Sequence, residues 1–281
     1  MHYGVAVFPT AYAMHPAELG PAVEQRGFES LWVAEHSHIP ADRTTPWPGG
    51  AELPQMYYDV MDPFVALTAA AATTTALRLA TGICLVGQRD PIQTAKQVAS
   101  LDVLSGGRFL FGIGGGWNVE EMANHGTEFR GRWRLVRERI EAMKAIWADD
   151  PAEYHGDLVD FDPIVANPKP IQRPHPPIHV GGGAPGGPRR AARYADGWIP
   201  LGGRDGDIAD QVGLVAEEAE KIGRDPAEIE VSLYLAPTDA DELCRLADAG
   251  VHRVVFGLPP ADGDDLLPLL DHYAAAAAQV G

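Results

Sequence analysis

The stretch WVAEHSHIP, residues 32–40, places Glu35, His36 and His38 directly after an apolar, β-branched run. A histidine at such a strand end can give or take a proton near neutral pH, or hold a ring in place by hydrogen bonding. His36 and His38 stand two apart, as metal ligands can, but no third and fourth ligand lies nearby and no metal is expected. Two glycine-rich loops offer a different chemistry. In VGGGAPGGPRRAAR (180–193) a strand runs through Gly181, Gly182 and Gly183 to Pro188, read as the first residue of a helix. Free N–H groups in a glycine nest and at a helix N-terminus bind phosphate, and Arg189, Arg190 and Arg193 add positive charge there. In GIGGGW (112–117), Gly114, Gly115 and Gly116 let backbone approach a ligand closely. It fails as a dinucleotide fingerprint, because Trp117 stands where the third glycine belongs.

Other candidates read as structural. Glu120 and Glu121 fit first-turn helix charges, and Asp102 with Arg108 an ion pair across a helix–strand turn. No P-loop or G-x-S-x-G elbow occurs. Cys84 and Cys244 are far apart and read as members of apolar segments, not as a disulfide or zinc site. One glycine asks for a reason. RLATGICLVGQRDP (78–91) reads as a buried strand over 78–86, yet Gly82 sits in its middle, where it offers nothing to pack.

The elements that must position these residues alternate along the chain. Strands are expected near 3–8, 30–34, 78–86, 108–113, 177–181, 197–201, 228–235 and 252–257. Helices are expected at 16–26, 62–75, 92–104, 119–148, 187–195, 207–222, 239–249 and 264–278. Eight strand–helix pairs predict an α/β protein built as a (β/α)8 TIM barrel in one domain over 1–281, with a doubly wound sheet as the competing architecture. Two proline-rich connections, 35–61 and 149–176, read as insertions, the first on the face where barrel strands end. In that connection Trp47, Tyr57 and Tyr58, with His38, are candidates for an apolar substrate pocket.

Composition bounds the rest. A net charge of −17 argues against nucleic acid and anionic membranes as partners, so an anionic ligand needs a site that locally reverses the field. No apolar run approaches the ~18 residues of a membrane span, and the N-terminus opens as a strand without a basic signal region. A soluble, cytoplasmic protein is expected.

SLWVAEH (30–36), LRLATGICLVGQRDPIQTAKQVASLDVLSGGRFLFGIGGGW (77–117), NPKPIQRPHPPIHVGGG (167–183) and RRAARYADGW (189–198) resemble the luciferase-like family of flavin and deazaflavin oxidoreductases. Within it the chain looks most like the coenzyme F420-dependent branch. The resemblance implies a barrel of the bacterial-luciferase type with insertions, a cofactor at the strands' C-terminal ends, and a homodimer. It implies a third-strand bulge through Gly82, Ile83 and Cys84, with a non-proline cis peptide joining Gly82 to Ile83 behind the cofactor ring. By the same match, His36 lies near ring and substrate, and Gly114–Trp117 and Gly181–Gly183 meet the cofactor's tail and phosphate. Sugar-phosphate dehydrogenases of the family carry an acid where Trp117 stands, so that activity is not expected. Three readings follow. The first is hydride transfer between F420 and a small apolar or cyclic substrate, with His36 handling the proton. The second is an FMN-dependent monooxygenase using reduced flavin from a partner reductase and O2. The third is a cofactor-binding protein without turnover. Arginines at 189–193 favour the deazaflavin, whose tail carries several carboxylates.

Overall fold

Strands buried on both faces read as near-continuous apolar runs, and eight such runs in this chain pair side by side. The computed structural model describes residues 1–203 and 206–280. Its elements are β1 (His2–Val7), α1 (Pro16–Gln25), β2 (Ser30–Val33), α2 (Met56–Asp59), α3 (Pro63–Ala71), β3 (Arg78–Thr81), α4 (Pro91–Ser105), β4 (Phe109–Ile113), α5 (Val119–Asn124) and α6 (Arg132–Ala148). They continue with β5 (Ala152–His155), β6 (Asp160–Ile164), β7 (Ile178–Gly181), α7 (Gly186–Tyr194), β8 (Gly197–Ile199), α8 (Ile208–Glu220), β9 (Glu230–Tyr234), α9 (Ala240–Asp248), β10 (Arg253–Gly257) and α10 (Gly263–Ala278). Strands β1, β2, β3, β4, β7, β8, β9 and β10 form a closed parallel barrel in that order, β10 pairing back onto β1. The expected (β/α)8 fold is therefore the observed one. Among the described residues, no helix is long and apolar enough to cross a membrane.

Several boundaries differ from expectation, each for a local reason. The third strand stops at Thr81; the peptide Gly82–Ile83 is cis, and the chain rejoins the barrel only where Cys84 bridges to Ile113. The helical pattern over 119–148 is two helices, interrupted where Gly126 takes φ 73°. The 149–176 connection carries an antiparallel hairpin, β5–β6, held against α6 where Tyr154 Oη donates to Glu141 and Leu158 N to Glu138. Helix α7 begins at Gly186, so Pro188 occupies its third position rather than its first. Asp102 and Arg108 form no ion pair. Asp102 accepts from Ile171 N, Gln172 N and Gln172 Nε2, while Arg108 donates to Thr74 and to the carbonyls of Ala71, Thr74, Leu77 and Ser105. The guanidinium thereby satisfies carbonyls that the end of α3 leaves open. Cys84 is buried, whereas Cys244 is exposed rather than part of an apolar face.

Two cores result. One fills the layer between strands and helices; the other, inside the barrel, is Ala6, Trp32, Ala80, Leu110, Ile199 and Val255, with Ile83 and Tyr234 packed against it. Toward the strands' N-terminal ends the interior turns polar, with Ser30, His179, Ser232 and Arg253 all buried. Burial pushes His179 down to about 4, and the Arg253 charge acts the same way. Its native pKa thus lies below the unfolded value of 6.5, so the unfolded chain takes up the proton first as pH falls. The stability tied to the neutral ring is complete above pH 6.5 and is lost between pH 6.5 and 4, amounting to about 3 kcal/mol by the usual conversion. Urea unfolding at pH 7 and pH 4.5 should show this loss in the wild type and a markedly smaller one in His179→Gln. Equal losses in both would remove His179 from the account.

Candidate active site

The site grows from three chain segments that leave the barrel at its C-terminal rim. After β2 the chain continues as Glu35 and His36, both buried. Glu35 accepts from Leu85 N at 2.6 Å and pairs with Arg89, which also reaches Asp62 at 2.6 Å. Asp62 in turn caps α3 through Phe64 N and Val65 N. This network pins the bulged segment after β3 to the start of the β2 connection. It also surrounds Cys84, whose thiol burial pushes well above its ordinary range, with Glu35 adding to the effect. The Cys84 sulfur is thus a protonated packing group. Its backbone is fully engaged as well, N donating to Gly112 O and O accepting from Gly114 N.

The reason for Gly82 comes from across the barrel. Tyr234, at the end of β9, donates its hydroxyl to Gly82 O at 3.0 Å. A Cβ at position 82 would stand 2.5 Å from that hydroxyl oxygen and 2.9 Å from the ring. Burial raises the Tyr234 phenol far above its usual value, so it acts as a hydrogen-bond donor. Ile83 faces the two glycine loops: a Cβ on Gly114 would meet its Cδ1 at 2.5 Å, and one on Gly181 its Cγ2 at 3.5 Å.

His36 is the centre of an aromatic cluster. Its ring lies 5.3 Å from Tyr57 and 5.8 Å from Trp117, and Tyr57 also contacts Trp47 and Phe8 at 5.6 and 4.6 Å. Trp117 carries the Arg43 guanidinium 5.5 Å from its ring centre. Of the expected pocket residues, Trp47 and Tyr57 therefore join His36 and Trp117. Tyr58 does not; it is exposed. His38 points elsewhere, bonding Ser37 Oγ and Asn124 Nδ2 and facing the His125 ring at 5.5 Å.

Two acids read as simple helix charges have specific partners. Glu121 is fully buried; its Oε2 lies 2.8 Å from His36 Nδ1, and its Oε1 accepts from Ser37 N at 3.1 Å. Glu120 accepts from the backbone N–H and hydroxyl of both Thr44 and Thr45, which fastens the 35–61 connection to α5. Those hydroxyl bonds hold its carboxyl down to about 2. Asn118 starts α5 by accepting from Glu121 N, so the cap and the histidine's partner belong to one turn.

The glycine loops after β4 and β7 converge on Trp133. Cβ atoms at Gly115 and Gly182 would meet its ring at 2.8 and 3.4 Å, and Arg190 lies 3.6 Å above it. Gly182 takes φ 115°, and Gly187 sits so close to Gly182 O that a Cβ would stand 2.1 Å away. From here a groove of about 310 Å³ runs between α6 and α7, lined by Trp133, Arg134, Arg137, Arg189, Arg190 and Arg193. Arg134, Arg137 and Arg189 have carboxylate partners in Glu138, Glu141 and Glu218. Arg190 and Arg193 have none among the described residues. Burial pushes the Arg190 guanidinium below its ordinary value, and Arg132 and Arg189 add to that. In a protein of charge −17 the groove thus brings together two guanidiniums without acidic partners among the described residues.

Comparison with known proteins identifies the family and the fold. A family model for luciferase-like monooxygenases matches residues 9–265. An uncharacterized protein of Mycobacterium tuberculosis is 41% identical over 99% of both chains. The crystal structure of the monooxygenase RslO1 from Streptomyces bottropensis superposes with a TM-score of 0.79 at 19% identity, covering 99% of each chain. The coenzyme F420-dependent tetrahydromethanopterin reductase of Methanopyrus kandleri gives 0.76 at 20% identity over 97% of each.

Proposed function

The chain belongs to the luciferase-like monooxygenase family, and we propose that within it this protein is an F420-dependent oxidoreductase acting on a small apolar or cyclic substrate. The fold does not choose the cofactor, since a monooxygenase and an F420-dependent reductase superpose equally well. The arginine groove is what supports F420. FMN ends in one phosphate, whereas the F420 tail continues past its phosphodiester into a chain of carboxylates. Two guanidiniums without acidic partners, beside three more, suit the longer anion.

The residues fit such a cofactor by their chemistry. Gly82, with its carbonyl held by Tyr234, and Ile83 would back the ring, and Gly181–Gly183 and Gly114–Gly116 would receive the phosphate end. Arg190 and Arg193 would hold the tail, with Arg189 a weaker contributor because Glu218 engages it. When bound, the deazaflavin supplies or accepts hydride. The chain's own part is to orient the two reactants, exclude water with Trp47, Tyr57 and Trp117, and exchange a proton at His36 Nε2, which has no protein partner among the described residues.

The test is a pair of titrations. The wild type should bind F420 at micromolar concentration and at least tenfold more tightly than FMN. Arg190→Gln with Arg193→Gln should weaken F420 about 10²-fold, two charge-assisted contacts at roughly 1.5 kcal/mol each, and leave FMN within about threefold. F420 lacking its glutamates should be insensitive to the double change. Equal weakening of both cofactors would return the choice to FMN, with a partner reductase supplying reduced flavin.

A further inference from the structure

A buried carboxylate needs donors. Among the described residues Glu121 has no lysine or arginine within ion-pair distance; Arg89, the guanidinium of this region, is engaged by Glu35 and Asp62. It has two good donors instead: Ser37 N on Oε1 and the His36 ring on Oε2. A carboxylate that is ionised only accepts, as Glu121 Oε1 already does from Ser37 N, and with both oxygens accepting the 2.8 Å contact places a proton on His36 Nδ1. In the neutral ring the lone pair then sits on Nε2, the atom without a protein partner and on the ring that packs against Tyr57 and Trp117.

We infer that Glu121 is a positioning residue: it fixes the tautomer and orientation of His36, so that Nε2 alone exchanges protons with the substrate. The inference rests on the proposed hydride-transfer reading for its consequence in catalysis, but not for the tautomer itself. The local structure was built for this task. Asn118 caps α5 and sets its first turn, Glu121 leaves that turn inward, and Ser37 N bonds the same carboxylate, so the backbone after His36 and the His36 ring share one anchor. A third group orienting a proton-transfer histidine is a recurrent arrangement, and loss of its carboxylate acts mainly through the wrong tautomer.

The experiment reads the tautomer directly. Protein labelled with ¹⁵N-histidine, without cofactor, is recorded by long-range ¹H–¹⁵N correlation, the His36 signals being identified by their absence in His36→Asn. The wild type should show Nδ1–H and a bare Nε2. In Glu121→Gln, whose amide can donate to Nδ1, the Nε2–H form should appear. Kinetically, Glu121→Gln should lower kcat at least about 10²-fold, with KM and the cofactor Kd within threefold, and Glu121→Asp should recover part of the loss. In a His36→Asn background the same change should cost less than threefold, because the two residues act as a unit. A wild-type His36 carrying its proton on Nε2 overturns the inference, even if the variants fail to fold. So does an unchanged tautomer in Glu121→Gln, or a full kinetic loss in the His36→Asn background. If F420 does not bind at all, the proposed function fails while the tautomer measurement still decides the role of Glu121.

Discussion

Replacing His36 with asparagine is expected to slow turnover about 10²–10⁴-fold, the usual worth of a positioned proton-transfer group. Asparagine keeps a polar group facing Glu121 and roughly preserves the volume between Tyr57 and Trp117. It cannot pass a proton. Cofactor affinity should therefore stay within about threefold, because the groups proposed to bind the tail lie on α7 and the glycine loops, not on the β2 connection. The measurement follows the deazaflavin's visible absorbance with a substrate drawn from a panel of small alcohols and cyclic ketones. A loss of turnover below tenfold would take the proton step away from His36. A loss that tracks weaker cofactor binding would make His36 a contact to the ring instead.

What the sequence disclosed of this site depended on whether a residue's role was local. The place of His36 was legible because a histidine just past a barrel strand stands on the rim at the strands' C-terminal ends whatever the loops do. The glycines of 112–117 and 181–183 were legible because they permit backbone approaches that side chains forbid. The eight barrel strands were legible as apolar runs, since parallel strands covered by helices carry no alternation. Glu121 was not legible. In sequence it is a second acid in a first helical turn, a common and favourable place for one. Only the path of the chain after β2 brings His36 and Ser37 to it. Glu120 and its neighbour look identical in sequence, yet one fastens a loop and the other holds a histidine. The expected third strand runs five residues past the observed one because its bulge keeps the composition of a strand. The hairpin β5–β6 was hidden by Pro163, and its strands lie over α6 rather than in the barrel.

Arg253→Met should be the most destabilising single change outside the site, costing about 3–5 kcal/mol and lowering Tm by roughly 6 °C or more. The guanidinium is 1% exposed and bonds both oxygens of Glu29 at 2.8 and 2.9 Å, with Glu230 at 3.0 Å and Ser232 Oγ at 2.9 Å. It joins the first residue of β10 to the loop before β2 and to β9, so three barrel segments share one cation. Methionine fills much of the volume but removes the main counter-charge of Glu29 and Glu230, leaving Glu29 only Arg78 at 3.6 Å; both are held below the usual carboxylate range despite the opposing effect of burial, chiefly by Arg253. Lysine should rescue little, since one ammonium cannot match a bidentate carboxylate. Adding Glu29→Gln and Glu230→Gln to Arg253→Met should recover part of the loss, because the residual cost is unpaired charge rather than missing packing. If the triple change is no more stable than the single one, the cluster acts through shape alone. Arg253 lies at the opposite end of the strands from His36, so F420 affinity measured well below Tm should be unaffected. That separation divides the barrel into a polar floor that holds it closed and a rim free to carry glycines, a bulge and arginines without acidic partners among the described residues.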